Sequence, residues 1–245
     1  MRQLIFEVNN IRPIADKVFE LILLGDTSDI IRPGQFVNIR VDGKYLRRPI
    51  SVCDWDEDSL TLIFKVFGEG TEIMSRLQKG DKIDILSGLG NGFTVTDSKK
   101  ALLVGGGVGV PPLYALAKKL IEQGVKPVVI LGFASSKDVF YKNEFESLGL
   151  KTYVATVDGS EGTKGFVTDS IKENNLQCDY FYACGPMPML KALCLELECP
   201  GQLSLEERMG CGFGACMGCS IITAKGSKRV CHDGPVFYKE DLLWT

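Results

Sequence analysis

Apolar residues alternate with polar ones in short runs along the first part of the chain, at 3–8, 18–24, 36–41, 49–55, 60–67 and 82–86. These runs are rich in β-branched and aromatic residues. Pro33-Gly34, Asp42-Gly43, Gly68 to Gly70 and Lys79-Gly80 separate them with turn chemistry. Six strands at this spacing predict a small antiparallel barrel over 1–97, interrupted by one short helix at 71–77. From residue 98 the period changes. An apolar run at 101–104 is followed by Leu113, Leu116, Ala117, Leu120 and Ile121 at helical spacing. Further buried runs at 128–133, 152–156 and 180–183 alternate with helical stretches at 138–147, 168–174 (opened by Thr168 as cap) and 187–198, where Cys194 reads as core. Strand and helix in alternation predict an α/β unit over 98–200 with a parallel sheet covered on both faces. A small module over 201–245 completes a multi-domain chain.

That module carries the densest chemistry. Cys211, Cys216, Cys219 and Cys231 stand at C-x4-C-x2-C-x11-C. The opening matches the spacing with which plant-type ferredoxins hold a [2Fe–2S] cluster, with the fourth thiolate supplied from elsewhere. Gly210, Gly212, Gly214 and Gly218 allow the backbone to approach the sulfurs, and Ala215 and Met217 are expected to keep water off. A four-cysteine zinc site is the alternative, but it ordinarily pairs two CxxC arms and only one is present. Disulfides are a further alternative, for which nothing else in the chain argues.

Composition narrows the classes. A net charge of −3 argues against nucleic acid as a main partner. No apolar run approaches a membrane span, and the start of the chain has no leader pattern, so a cytoplasmic protein without a membrane partner is expected. Of the nine cysteines, Cys53, Cys178, Cys184, Cys194 and Cys199 remain outside the module, an odd number that does not suggest a disulfide framework. His232 is the single histidine, which excludes most histidine-based metal sites and triads.

Three further motifs bear on ligands. Arg48-Pro49-Ile50-Ser51 begins a strand and Gly68-Glu69-Gly70-Thr71 leads into a helix, groups suited to phosphate. Gly105-Gly106-Gly107-Val108-Gly109-Val110-Pro111-Pro112 lies between a strand and a helix, where glycines permit backbone approach to a pyrophosphate. Cys184-Gly185-Pro186 ends the last strand and therefore reads as the mouth of the ligand crevice.

In order and motifs the chain resembles the ferredoxin–NADP reductase superfamily. Within it the whole chain is similar to the electron-transfer subunits of NAD-dependent (class 1B) dihydroorotate dehydrogenases, most specifically at 46–51, 158–169, 209–220 and 231–237. The resemblance implies FAD against Arg48, Pro49, Ile50 and Ser51 with Ile63, Phe64 and Lys65 beside them, and Gly70 and Thr71 on its pyrophosphate. It implies NAD(H) at Gly105, Gly106, Gly107, Gly109 and Pro111, with Cys184 as the catalytic residue near the nicotinamide and Gly185 next to it. It implies the four cysteines as iron ligands and an FMN-containing catalytic subunit as partner, in a heterotetramer of two of each. Many superfamily members carry Tyr where Ile50 stands, so what stacks on the flavin is open. A related bifurcating ferredoxin–NADP oxidoreductase subunit is the second reading. That group places Asp where Cys211 stands. Asp158 and Glu161, with no Arg near them, imply NAD rather than NADP. The apolar residues Val236, Phe237, Leu242, Leu243 and Trp244 imply a tail that docks the partner or folds back.

Overall fold

The computed structural model describes residues 1–244. The first unit is a closed barrel of β1 (Arg2–Ala15), β2 (Val18–Leu24), β3 (Phe36–Ile39), β4 (Arg48–Trp55), β5 (Ser59–Lys65) and β6 (Lys82–Leu89), in the order β1-β2-β5-β4-β3-β6. The helix α1 (Glu69–Met74) lies between β5 and β6. Period-two patterning builds the barrel: β6 buries Ile83, Ile85, Ser87 and Leu89 and turns the residues between them outward. The first strand runs past the expected end at residue 8. Its opening residues pair with β6 and its later ones with β2, with bulges at Val8/Asn10 and Pro13/Ala15. Those bulges bend one long strand across two neighbours, and this closes the barrel.

The second unit contains β7 (Ala101–Gly106), α2 (Pro111–Glu122), β8 (Val128–Phe133), α3 (Lys142–Ser147), β9 (Thr152–Thr156), β10 (Thr163–Lys164), α4 (Val167–Glu173), β11 (Tyr180–Cys184) and α5 (Met187–Glu196). Every residue of β7 is buried, as a central parallel strand covered on both faces requires. Two helices differ from expectation. The stretch 138–147 is α-helical only from Lys142, after a 3-10 turn that ends at Asp138, because Phe140 and Tyr141 are buried and Tyr141 takes a left-handed conformation, φ 65°. Its hydroxyl donates to Glu20 of the barrel at 3.1 Å, so the chain inserts an aromatic between the two units instead of continuing a helix. Helix α4 is not opened by Thr168. The Asp169 carboxylate accepts the Phe166 N–H at 2.7 Å and closes its first turn.

After residue 200 the chain returns to this sheet. The strand β12 (Gly201–Ser204) pairs parallel to β11. A hairpin of β13 (Ser220–Thr223) and β14 (Gly226–Arg229) and the short helix α6 (Val230–Asp233) follow. Then β15 (Val236–Tyr238) pairs antiparallel to β12. The sheet order is β10-β9-β8-β7-β11-β12-β15. The tail is therefore largely folded back. Val236 and Phe237 are core, Leu242 bridges Thr223 and Trp244 is half-buried, whereas Leu243 is 51 % exposed.

Candidate functional site

The cysteine loop crosses from β12 to β13 against the barrel. Asn38 on β3 donates its side-chain amide to the Cys211 carbonyl at 3.2 Å. Gly212 has φ +79°, and a Cβ there would lie 2.3 Å from Asn38 Nδ2, so both the backbone and the contact demand glycine. Arg229 Nη1 donates to the Gly214 carbonyl at 2.8 Å, and its guanidinium is held by Asp233 at 3.2 Å. Asn91, just past β6, donates to the carbonyls of Asp233 and Val236. The loop is thus fixed from below by the barrel and from behind by Arg229.

Within it the thiols fall into two pairs. The Cys211 N–H donates to Cys216 Sγ at 3.4 Å, and the N–H groups of Ala215 and Cys216 donate to Cys211 Sγ at 3.2 and 3.4 Å. The Cys231 N–H donates to Cys219 Sγ at 3.4 Å. Burial pushes the Cys211 thiol up, but backbone N–H groups of Phe213, Cys216 and Ala215 outweigh it and bring it down to about 6. Burial and the neighbouring Cys219 push Cys231 up to about 12. Among the described residues no three Cys, His, Asp or Glu side chains converge as a single ion would require. Two thiol pairs are what a binuclear rhomb needs, one pair for each iron. The donor set fits that group. Cys219 and Cys231 are buried and Cys216 is exposed. Ala215 is exposed and Met217 is 54 % exposed, so these two do not keep water off, as expected, but form the open rim of the loop.

The flavin candidates lie on β4, β5 and α1. The guanidinium of Arg48 rests on Gly70 so closely that a Cβ there would stand 2.3 Å from Nε. Arg48 is anchored by the carbonyls of Leu46 and Arg47. A fixed cation beside bare backbone suits a pyrophosphate. Pro49, Ile50 and Ser51 are half-buried along β4. Phe64 turns its side chain into the barrel core and Ile63 into the core shared with the sheet unit, so neither offers a side chain to a ligand, whereas Lys65 is exposed. The Thr71 hydroxyl accepts the Phe67 N–H at 2.8 Å and donates to the Gly68 carbonyl at 3.0 Å, so it shapes the turn. Two aromatics that no motif marks stand out here: Phe67, at the end of the expected 60–67 run and beyond the observed strand, is 93 % exposed, and Tyr45 fully so. The Lys44–Glu69 ion pair, 2.5 Å, ties together the two loops that carry them. The signal for both was a large ring in a turn otherwise made of small or charged residues.

Strand order reverses between β7 and β11, and there the crevice opens. A cavity of about 520 Å³ is lined by Gly106, Gly107, Phe133, Pro186 and Met189 from the sheet unit and by Val18 and Lys65 from the barrel. Lys65 meets Asp138 at 3.0 Å across its mouth. Gly105, Gly109 and Pro111 are buried behind this lining. Cys184 pairs with Gly105 across the strands, but its thiol is buried and pushed up to about 12 by that burial. It supports the wall from within and does not line the cavity, while Gly185 opens the turn beside it. Asp158 is exposed and accepts the Ser160 N–H and hydroxyl at 3.0 and 2.6 Å, next to Val157 on the cavity wall. Glu161 is paired with Lys142 at 3.2 Å.

Similarity to known proteins agrees with this geometry. Residues 206–243 match the iron-sulfur cluster binding domain of dihydroorotate dehydrogenase B, and 103–195 match the oxidoreductase NAD-binding domain. The dihydroorotate dehydrogenase B (NAD(+)) electron transfer subunit of Fusobacterium nucleatum is 49 % identical over 244 residues, covering 94 % of each chain. That of a Geobacillus species is 48 % identical over 95 % of each. The solved structure of an NADH-dependent reduced ferredoxin-NADP oxidoreductase superposes with a TM-score of 0.89 at 34 % identity, covering 98 % of this chain and 90 % of that one. Barrel, parallel sheet, paired thiols and near-complete coverage at this identity converge on one conclusion: the chain belongs to the family of dihydroorotate dehydrogenase B (NAD(+)) electron transfer subunits.

Proposed function

We propose that this chain is the electron-transfer subunit of an NAD-dependent dihydroorotate dehydrogenase of pyrimidine biosynthesis, passing electrons from an FMN-containing catalytic subunit to NAD+. The observation that carries the reading is the pairing of Cys211 with Cys216 and of Cys219 with Cys231 on a loop clamped to the barrel. When bound, the [2Fe–2S] cluster supplies one-electron transfer, FAD converts between one- and two-electron steps, and NAD takes up a hydride.

The residues of the chain bind and position these groups. Residues 1–97 hold FAD: Arg48 and Gly70 take the pyrophosphate, with Pro49, Ile50 and Ser51 along the ring system and backbone from Ile63 to Lys65 and at Thr71 beside them. Phe67 and Tyr45 offer the aromatic faces that the absent Tyr leaves to others. Residues 98–200 hold NAD at Gly106 and Gly107, with Gly105, Gly109, Gly185 and Pro111 setting the turns. Cys184 acts as a buried positioning residue under the nicotinamide site, and Asp158 accepts from a ribose hydroxyl. Residues 201–245 hold the cluster. Asn38 fixes the cluster loop on the barrel, and the exposed rim at Phe213, Cys216 and Met217 faces the electron donor. A complex of two copies of each subunit, cytoplasmic and without nucleic acid, is the assembly proposed. No helix among the described residues is long and apolar enough to cross a membrane.

The test is the visible and paramagnetic spectrum of the chain purified without oxygen. One FAD, two irons and two sulfides per chain, with an axial or rhombic signal after reduction by NADH, are expected. A colourless chain carrying zinc refutes the proposal.

A further inference from the structure

Cys178 and Cys199 take no part in any of these sites. Cys178 precedes β11 and Cys199 precedes β12, and the register Phe181↔Gly201 places the two approaches side by side. They lie at the amino ends of the strands, at the far side of the sheet from the crevice. Their sulfurs are 2.9 Å apart, inside van der Waals contact, and both residues are half-buried. Lys239 anchors here too, donating to the carbonyl of Leu197 and, at 3.4 Å, to that of Cys199. The pair is polarised. The hydrogen bond shared with Cys178 draws the Cys199 thiol below its ordinary value, with burial opposing and Lys239 assisting. The same bond, then burial, raises Cys178. The remaining non-ligand thiols differ: Cys53 and Cys184 are fully buried, and Cys194 is half-buried with its own contact to Trp244.

We propose that Cys178 and Cys199 form a dithiol–disulfide couple that exchanges with low-molecular-weight disulfides, with Cys199 as the attacking thiolate. In the first step the Cys199 sulfur bonds to one sulfur of the small disulfide, whose S–S bond breaks and releases one thiolate. That thiolate takes up the proton Cys199 has given up. In the second step Cys178 gives up its proton, attacks the Cys199 sulfur and displaces the second small thiol. The sum is two protein thiols oxidised by two electrons and one small disulfide reduced to two thiols. The bond would staple β11, whose far end carries Cys184-Gly185 at the crevice, to β12, whose far end leads into the cluster loop.

The test uses the full chain with its cofactors, without oxygen, in mixtures of reduced and oxidised glutathione, followed by acid quenching, alkylation and peptide mapping. The expected result is a peptide pair linked through Cys178 and Cys199, two hydrogens lighter than the separate peptides. It should grow with the oxidised share and revert with dithiothreitol, while the cluster absorbance stays constant. Cys178→Ser should trap glutathione on Cys199, whereas Cys199→Ser should load Cys178 more slowly. Absence of the linked pair at the highest oxidised share, in wild-type protein that needs no substitution to fold, overturns the couple. Equal loading of the two single variants overturns the assignment of Cys199 as nucleophile.

Discussion

Gly212→Ala probes how the barrel holds the cluster loop. The residue sits at φ +79°, where an alanine costs about 1–2 kcal/mol. Its Cβ would stand 2.3 Å from Asn38 Nδ2, so the amide must move and its 3.2 Å bond to the Cys211 carbonyl is lost. Asn38 is 1 % exposed and its Oδ1 already lacks a partner, so the freed amide stays dry. A buried donor left unpaired costs about 1–3 kcal/mol. Together the loop should open more readily by about 2–5 kcal/mol, roughly 30- to 5,000-fold in its opening equilibrium. The assay is the rate at which a strong iron chelator bleaches the cluster, read beside the FAD absorbance. Bleaching should accelerate within that range while FAD is retained, because the flavin contacts lie on β4, β5 and α1. Asn38→Ala in the same chain removes the obstacle but not the backbone strain, so the double variant should recover part of the loss. A Gly212→Ala protein that bleaches at the wild-type rate refutes the clamp.

Cys216→Ala should lose the cluster and keep FAD, which iron and sulfide analysis decides, a full complement being the adverse result. Efficiency, kcat/KM with a dye acceptor, should favour NADH over NADPH by about fivefold or more, as one exposed carboxylate near a phosphate is worth about 1 kcal/mol or above. Asp158→Ala should narrow that ratio, and an unchanged ratio counts against the carboxylate. Asp179 accepts from Ser98 and from the N–H groups of Lys99 and Lys100, and these bonds hold its carboxyl below the ordinary value. A depressed folded pKa gives stability that is present above the unfolded value, about 3.9, and is lost as pH falls below it. Asp179→Asn should therefore lower the urea midpoint more at pH 7 than at pH 3, and an equal effect at both would be contrary.

Strands were legible where period-two alternation faces one core, as in β2 and β6, and where an unbroken apolar run lies inside a parallel sheet, as in β8 and β9, whose limits match expectation. The four cysteines were legible because their spacing reflects the chemistry they serve. What local pattern could not carry was nonlocal. The break in the 138–147 stretch follows from Tyr141 reaching Glu20 of another unit, and no helical periodicity encodes that partner. The strand β12 is four residues of mixed polarity, Gly201, Gln202, Leu203 and Ser204, made a strand by neighbours on both sides. Cys184 was placed correctly on its strand, yet its side-chain direction depended on packing against Ser204, which the sequence places twenty residues away. Phe67 and Tyr45 carry no such signal, because an exposed ring has no periodicity to announce it.

The return of β15 to β12 makes the cluster-bearing segment an excursion between two adjacent strands of one sheet. Both of its ends are tied to the same rigid body. With both ends anchored, the loop can open locally but cannot extend toward a partner as an arm tethered at one end would. For anyone dissecting the chain, the consequence is practical. A fragment that begins at residue 206 omits β12 and strips Val236 and Phe237 of the strand that covers them. Such a fragment carries all four iron-ligand candidates and lacks the edge on which its own last strand must pair. It should be recovered as aggregate, whereas extending it back through Gly201–Ser204 would still leave β12 without β11. Any fragment that contains the cysteines and keeps β15 paired must carry β12 and β11 with it.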